Sequence, residues 1–473
     1  EILHGGFIPN RSYLLRGGPG TGKTTLGLHF LTEGVAKGER TLYIALSEPE
    51  ASIRQNAERL GFDLTDVAFL DLSPSPEHFL EHKTYEVFSP AEVEAEPATR
   101  AIIEAVERYR PQRVVVDPMS QIRHLATDVY HFRQQLLSFL HFLMAKGATV
   151  LFTSETIDVD PDVYMQVVAD GVLTIENLPT GLHIRVSKFR GSGYIPGLHG
   201  MQITPEGVEI YPRLVPEEHN RDVPHETIPF GLPELDKMLS GGLERGSVSL
   251  ITGPSGTGKT TLGLHFMHEA AMRGERSVIY TFEEDVEFLL RRAEALKIPV
   301  RKLYEEGMLK IEKIEPLIYS ADQFARKARV EVEKNGARVV MIDSTAGYRI
   351  ALKGEDVVEH LHALAKYLQN MGVAVLLVTE GEVVGGSFQL TGFRISYLAD
   401  SLIYLRYVEK HTRKGLQLAK AVGVLKKRLS AIDPTVRELV FTEKGMSLGP
   451  PLRAVEAFLS HHPRMEELGE NEA

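Results

Sequence analysis

The sequence predicts an α/β fold laid down twice: two tandem domains, each a mostly parallel sheet with helices on both faces. Three observations predict it. Residues Thr24–Phe30 read TTLGLHF, and Thr260–Phe266 repeat the same letters. Short apolar runs rich in Val and Ile alternate with helix-length segments in both halves. A glycine-rich loop follows the first apolar run of each half and opens a helix. The offset of 236 holds from Gly5-Gly6 against Gly241-Gly242 to Gly38-Glu39-Arg40 against Gly274-Glu275-Arg276. A period this long marks two duplicated domains rather than a solenoid. It replaces the three or so domains that 473 residues alone would suggest.

The expected strands of the first copy are Tyr13–Leu15, Thr41–Leu46, Arg113–Val116 and Ala148–Phe152. Their counterparts are Val248–Ile251, Ser277–Phe282, Arg338–Ile342 and Val373–Val378. They are short and continuously apolar, as strands covered on both faces must be. Segments such as Thr24–Lys37 and Val129–Lys146 supply the crossover helices. Later landmarks recur at offsets that drift to about 225: Val114–Asp117 against Val339–Asp343, Thr153-Ser154-Glu155 against Val378-Thr379-Glu380, and Ala169-Asp170 against Ala399-Asp400. Each copy closes in a strand–turn–strand piece around Thr204–Gly207 or Thr442–Gly445. The expected organisation is a first domain over 1–211, a linker over 212–229, a second domain over 230–450 and a tail over 451–473. Pro212, Pro216, Pro224 and Pro229 mark the linker as an extended, stiff piece. The second copy carries a lead-in, Ile228–Asp236, and the first starts at Glu1 in the middle of its equivalent, so roughly 12–15 further residues are expected before Glu1.

Composition narrows the function. With 43% hydrophobic and 25% charged residues the chain is an ordinary globular one. It has no cysteine, which excludes disulfides, thiolate metal sites, zinc fingers, iron–sulfur clusters and a cysteine nucleophile, and fits a reducing cytoplasm. No apolar run reaches the ~18 residues that span a bilayer, and no signal peptide is visible. The net charge of −11 argues against a dedicated nucleic-acid binder, which carries a basic surplus.

Gly17–Thr24 and Gly253–Thr260 both fit the pattern GxxxxGK followed by Ser or Thr. Glycines let such a loop curl until successive N–H groups face one anion, and the next helix presents its positive end to the same place. The candidate nucleotide-binding residues are Gly18, Gly20, Thr21, Gly22, Lys23, Thr24 and Thr25, with Ser255, Gly256, Thr257, Gly258, Lys259, Thr260 and Thr261 in the second copy. The lysines would reach the β- and γ-phosphates of ATP, and Thr24 and Thr260 would place hydroxyls on Mg²⁺. Asp117 and Asp343 end apolar runs where a Mg²⁺-directed carboxylate belongs.

The end of the second expected strand separates the copies. It reads Phe282-Glu283-Glu284 in one and Leu46-Ser47-Glu48 in the other. Glu48, Glu283 and Glu284 are the candidates to orient or deprotonate the attacking water, and Glu283 could also complete the metal site. Two sites hydrolysing at different rates, the first slower, are expected. Glu155 and Glu380 end the fourth strands as sensors of the γ-phosphate, contacts to a neighbouring subunit, or helix-capping carboxylates. Late in each copy come Lys188-Phe189-Arg190 and Lys426-Lys427-Arg428; alternate cations on a strand share a face and could grip phosphates. His29 and His265 recur behind the loops and read as packing residues.

This ordered set resembles the KaiC-like branch of the RecA-type ATPases: tandem P-loop domains, Gly-Gly before the first strand, FEE, IDS at Ile342–Ser344, Thr-Glu after the fourth strand, and KxRG near the domain end. The resemblance covers nearly the whole chain. It implies two tandem RecA-like P-loop NTPase domains in a two-tiered homo-hexameric ring, with ATP at subunit interfaces. Lys188, Arg190, Lys426 and Arg428 would then reach the nucleotide of the adjacent subunit. Leu429 stands where the family has Gly. Circadian members phosphorylate an adjacent Ser-Thr pair, which here reads Ser396-Tyr397, with Thr391 nearby. The resemblance therefore leaves single-site autophosphorylation on Ser396 or Thr391 open beside an unmodified interface serine. It also implies that regulatory protein partners act on the tail, where Leu452, Val455, Phe458 and Leu459 form a short amphipathic piece. Two alternatives stand beside an ATP-driven regulator: a DNA-handling motor on the same fold, and a slow nucleotide-gated scaffold.

Overall fold

Each half begins with an apolar strand that runs directly into its glycine loop and then into a helix. The computed structural model describes residues 1–74, 90–121, 129–155, 162–315, 318–352, 357–384, 387–389, 397–412, 415–442, 445–452, 455–456 and 464–465. They fall into two compact units, Glu1–Arg213 and Leu214–Ala473.

In the first unit the order is β1 (Ser12–Gly17), α1 (Lys23–Ala36), β2 (Thr41–Ala45), α2 (Glu50–Arg59), β3 (Val67–Asp71), α3 (Pro90–Tyr109), β4 (Arg113–Asp117), α4 (Val129–Ala145), β5 (Thr149–Glu155), α5 (Val163–Val168), β6 (Gly171–Leu178), β7 (Gly181–Phe189), β8 (His199–Thr204) and β9 (Gly207–Tyr211). The strands lie side by side as β3-β2-β4-β5-β1-β6-β7-β8-β9. The six from β3 to β6 are parallel; β7, β8 and β9 extend the sheet antiparallel.

Period-2 alternation fixes which face each residue serves. Tyr13, Leu15, Tyr43 and Val115 pack with Leu28 and Leu31 of α1. Leu14, Leu42, Val114 and Val116 pack with Leu136 and Leu140 of α4. Both faces of the central strands are sealed, which is why the sequence there shows apolar runs and no alternation.

The second unit repeats this order behind a lead-in of β10 (Thr227–Ile228), α6 (Pro233–Met238) and β11 (Leu243–Glu244). It continues with β12 (Val248–Gly253), α7 (Lys259–Met272), β13 (Ser277–Thr281), α8 (Val286–Ala295), α9 (Val300–Glu305), β14 (Leu309–Lys313), α10 (Ala321–Glu333), β15 (Val339–Asp343), α11 (Thr345–Ala351), α12 (Val357–Asn370), β16 (Ala374–Glu380), β17 (Glu382–Val384), β18 (Ser387–Gln389), β19 (Ser401–Thr412), β20 (Gly415–Lys427), β21 (Arg437–Thr442) and β22 (Gly445–Pro451). The main sheet runs β14-β13-β15-β16-β12-β19-β20-β21-β22, the order of the first unit strand for strand. The proline-rich stretch from Leu214 onward belongs to this second unit. Leu214 is buried in its core, and the Asn370 side chain donates to the Pro216 carbonyl at 2.9 Å.

Four strands per copy follow from apolar runs, and the terminal strand–turn–strand pieces are the β8–β9 and β21–β22 hairpins. The edge strands β3 and β14 and the hairpins β6–β7 and β19–β20 are additions. Apolar stretches mark some of these as well, such as Val67–Leu70 in β3 and the buried Leu402–Leu405 in β19. No helix among the described residues is long and apolar enough to cross a membrane.

Candidate nucleotide sites

Both loops start where the first strand of the sheet ends, at Gly17 and Gly253. Their curl requires left-handed backbone at Gly22 (φ 90°) and Gly258 (φ 104°). A Cβ on Gly22 would fall 2.9 Å from Ile203, and one on Gly258 2.7 Å from the Phe441 ring. These glycines thus serve the turn and the close approach of the neighbouring hairpin at once. No side chain caps α1 or α7, so the first N–H groups of both helices are left for an anion in the loop.

Lys23 and Lys259 are buried at the floor of their loops. Lys23 Nζ donates to the carbonyls of Gly17 (3.0 Å) and Gly18 (2.7 Å), and Lys259 Nζ to that of Pro254 (2.9 Å). Burial pushes both ammonium groups below their ordinary range, against the opposing pull of Glu155 and Asp117 in one site and of Glu380, Asp343 and Glu283 in the other.

Asp117, at the end of β4, accepts from the Thr24 hydroxyl (2.7 Å), the Tyr43 hydroxyl (2.6 Å) and Thr153 Oγ1. Asp343, at the end of β15, accepts from Thr260, and burial, reinforced by Glu284 and Glu283, pushes its carboxyl up to about 6. A buried carboxylate beside a P-loop hydroxyl, with further carboxylates around it, is a donor set that fits a hard divalent cation. A cavity of about 360 Å³ opens between Thr24, Glu48, Asp117 and Glu155, with Ser47 and Ile203 also lining it. That volume suits a small ligand.

The two copies hold their glutamates differently. Glu48 accepts from Asn56 Nδ2 at 3.0 Å. Its equivalent Glu284 accepts a hydrogen bond from Arg292 Nη1 at 2.8 Å, with Nη2 as an ion-pair contact 2.8 Å from its other oxygen. Asn56 and Arg292 are themselves one offset of 236 apart. Glu283 accepts from Ser344 Oγ, which also accepts from the Gly347 N–H at 3.1 Å and so caps α11. Ser47 stands where Glu283 does, and Pro118 where Ser344 does.

The structure therefore brings together the P-loop residues, the two aspartates, and Glu48, Glu155, Glu283, Glu284 and Glu380. It does not bring Lys188, Arg190, Lys426 or Arg428 to the loops of their own units. Lys188 pairs with Val172 at the start of β6, level with the first residues of β1, whereas the P-loop leaves β1 at its far end beside Ile175. Lys426 pairs with Leu402 in the same relation to β12. At that end Lys188 Nζ donates to the carbonyls of Gln166 and Val167 (3.0 and 2.9 Å), and Lys426 Nζ to that of Ala399 (2.6 Å). Arg190 and Arg428 lie 3.7 and 3.4 Å from Asp170 and Asp400. Ser396 and Thr391 lie outside the described residues.

Tyr43, Thr153, Asn56, Arg292 and Ser344 are additions to the residues named from sequence. For Asn56 and Arg292 the signal was available: both sit eight residues beyond a candidate glutamate in aligned copies. His29 and His265 are structural, as expected. His29 Nε2 accepts from the Val208 N–H at 2.8 Å, and His265 Nδ1 lies 2.9 Å from the Phe230 carbonyl.

The sequence model of the family described as "ATPase: KaiC" matches residues 1–215 and again 228–453. Among curated proteins, "Circadian clock protein KaiC3" of Synechocystis sp. is 26% identical, covering 98% of this chain and 92% of its own length. "Circadian clock oscillator protein KaiC" of Synechococcus elongatus is 27% identical over 98% of this chain and 90% of its own, and that of Prochlorococcus marinus (strain MIT 9313) 27% over 98% and 93%.

Proposed function

This chain belongs to the KaiC ATPase family, matched twice along its length, and from that premise we propose that it forms a double-tiered homo-hexameric ring. In this reading it hydrolyses ATP at subunit interfaces and serves as a timing or signalling regulator. Thr24 and Asp117 would hold Mg²⁺ in the first site; Thr260 and Asp343 would hold it in the second, with Glu283 completing the set where it does not serve as the base. When bound, the ion neutralises charge on the β- and γ-phosphates as the bond to the γ-phosphorus breaks. The chain's own residues do the rest. The loop N–H groups and the helix end fix the phosphates, and the lysine follows the charge. Glu48 or Glu283 orients the water and accepts its proton.

The observation that carries this reading is the separation within each unit. Carboxylates, lysine and loop gather at one end of the sheet, and the Lys-x-Arg cations at the other. Among the described residues neither Lys-x-Arg pair reaches the loop of its own unit, and a neighbouring copy would supply the cation that phosphoryl transfer gains from. The names of the relatives place them in circadian clocks. Here Tyr397 stands where the clock pattern has its second phosphorylated residue, so we infer at most a single-site autokinase on Ser396 or Thr391, and no two-site cycle. The acidic charge favours this reading over a DNA motor.

Native mass measurement with and without ATP and Mg²⁺, followed by phosphopeptide mapping of the ATP-loaded sample, tests both parts. The expected result is an ATP-dependent six-chain species. A monomer under all conditions overturns the ring, and absence of phosphate from Ser396 and Thr391 overturns the autokinase.

A further inference from the structure

The two sites differ at three positions that make two neighbouring side-chain contacts in the second site. In the second, Glu283 is held by Ser344, and Glu284 by a hydrogen bond and an ion-pair contact with Arg292. In the first, the equivalent positions are Ser47, Pro118 and Asn56. The two copies differ at all three positions. The first site has no additional carboxylate, no hydroxyl to orient one, and an amide in place of the guanidinium.

The charges explain the linkage. Around the first loop, Lys23 faces three carboxylates, Glu48, Asp117 and Glu155. Around the second, Lys259 and Arg292 share a neighbourhood with four, Glu283, Glu284, Asp343 and Glu380. Both sets sum to −2. The additional acid of the second site is balanced by the additional base, so the place where a polyanion must bind is no more negative than in the first. An ordinary exposed ion pair would contribute little. This one combines a hydrogen bond from Arg292 Nη1 with an ion-pair contact, and both side chains are about 70% withdrawn from solvent. The alternative at the same place in the first unit, Asn56, also bonds its glutamate.

We propose that Arg292 is a positioning residue of the second site: it ties down Glu284 and offsets its charge, so that Glu283 can be carried as a free, Ser344-oriented carboxylate beside a nucleotide. Glu283, Ser344 and Arg292 then form one unit, present whole in the second site and absent whole from the first. This rests on the reading of both loops as ATP sites.

The test is a double-mutant cycle in the full chain with Mg²⁺ and a fluorescent ADP derivative, reading equilibrium binding and turnover separately. Arg292→Asn should weaken nucleotide binding at the second site about tenfold, the effect of one uncompensated charge within a Debye length. Arg292→Lys should restore most of the binding and less of the turnover, because an ammonium on a flexible stem does not fix Glu284 as the planar guanidinium does. Glu283→Ser combined with Arg292→Asn should bind within about twofold of wild type, yet turn over no faster than Glu283→Ser alone. The reverse transplant keeps the proposal exposed if Arg292→Asn fails to fold: in the first site, Ser47→Glu should weaken binding, and adding Asn56→Arg should recover it. Unchanged binding in Arg292→Asn, or a double variant that binds as weakly as Arg292→Asn alone, overturns the proposal while leaving the ATP reading intact. Failure of the wild-type chain to bind the ADP derivative overturns both.

Discussion

Lys23 and Lys259 hold equivalent places under their loops, but the side chains that would act on the attacking water differ. In the second site Glu283 is oriented by a hydroxyl and lies in the field of Lys259, with no ion pair among the described residues; in the first, Ser47 can neither orient nor deprotonate water with comparable strength, and Glu48 is bonded to an amide. The second site should therefore carry the larger share of turnover. Lys259→Ala should remove most of the ATP hydrolysis of the full chain, and Lys23→Ala should leave most of it. Each change should lower its own site by about 100-fold, as loss of a preorganised charge on the transferring group does. Steady-state phosphate release from the two variants checks this, and equal residual rates would contradict it. The loop lysines were legible in the sequence because phosphate binding demands a contiguous pattern. Arg292 and Asn56 were legible only as a matched pair eight residues beyond aligned glutamates, since a lone Arg on a helix reads as solvated charge, and Tyr43 was not, because a Tyr in an apolar run reads as core. Their meaning depends on partners that only the folded chain brings near.

At the scale of elements, the hairpin β8–β9 lies against α1, and much of its placement turns on His29. The ring nitrogen Nε2 accepts the Val208 N–H, the ring meets Phe62 edge-on with centroids 4.7 Å apart, and Gly207 (φ 103°) leaves no room for a Cβ, which would fall 2.2 Å from that nitrogen. Burial pushes the His29 pKa down, so the folded chain keeps the ring neutral while the unfolded chain protonates it near the ordinary value of ~6.5. The unfolded state then binds more protons, and stability falls as pH drops through that value toward the lower folded one. Urea unfolding of the first unit should show a smaller loss of midpoint between pH 7.5 and pH 5.5 in His29→Gln than in wild type. The amide oxygen can still accept from Val208 but does not titrate. An identical loss in both would show that His29 does not govern this dependence. The recurrence of His29 as His265 was visible in the sequence, and so was its packing role; its acceptor was not. The same holds for β6 and β7. The sequence placed Lys188 and Arg190 on a strand, but it could not show at which end of the sheet that strand would set them, since that follows from the antiparallel return of β7 along β6.

At the scale of the whole molecule, that end decides how chains would meet in the proposed ring. Each unit presents a nucleotide loop at one end of its sheet and two basic residues at the other, and the two features are complementary without being able to touch within the unit. Surfaces of this kind associate head to tail, and such association closes into a ring when the rotation per step permits. The consequence is testable without knowing the ring size. A Lys259→Ala chain keeps Arg428 but cannot bind nucleotide productively in its second loop; an Arg428→Ala chain keeps the loop but donates no guanidinium. Each alone should lose second-site turnover. When the two are unfolded, mixed in equal amounts and reassembled with ATP, about a quarter of the second-tier interfaces should pair an intact loop with an intact arginine, and turnover should rise to about that fraction of the wild-type second-site rate. Mixed assemblies that regain nothing, while native mass shows both chains in one particle, would mean that Arg428 does not complete a neighbour's site. Its contacts with Asp400 and with the Tyr397 carbonyl would then be its whole role. Recovery with Lys426→Ala in place of Arg428→Ala would extend the same conclusion to the lysine, whose amine is held on the Ala399 carbonyl at that end of the sheet and would have to leave it to reach a phosphate.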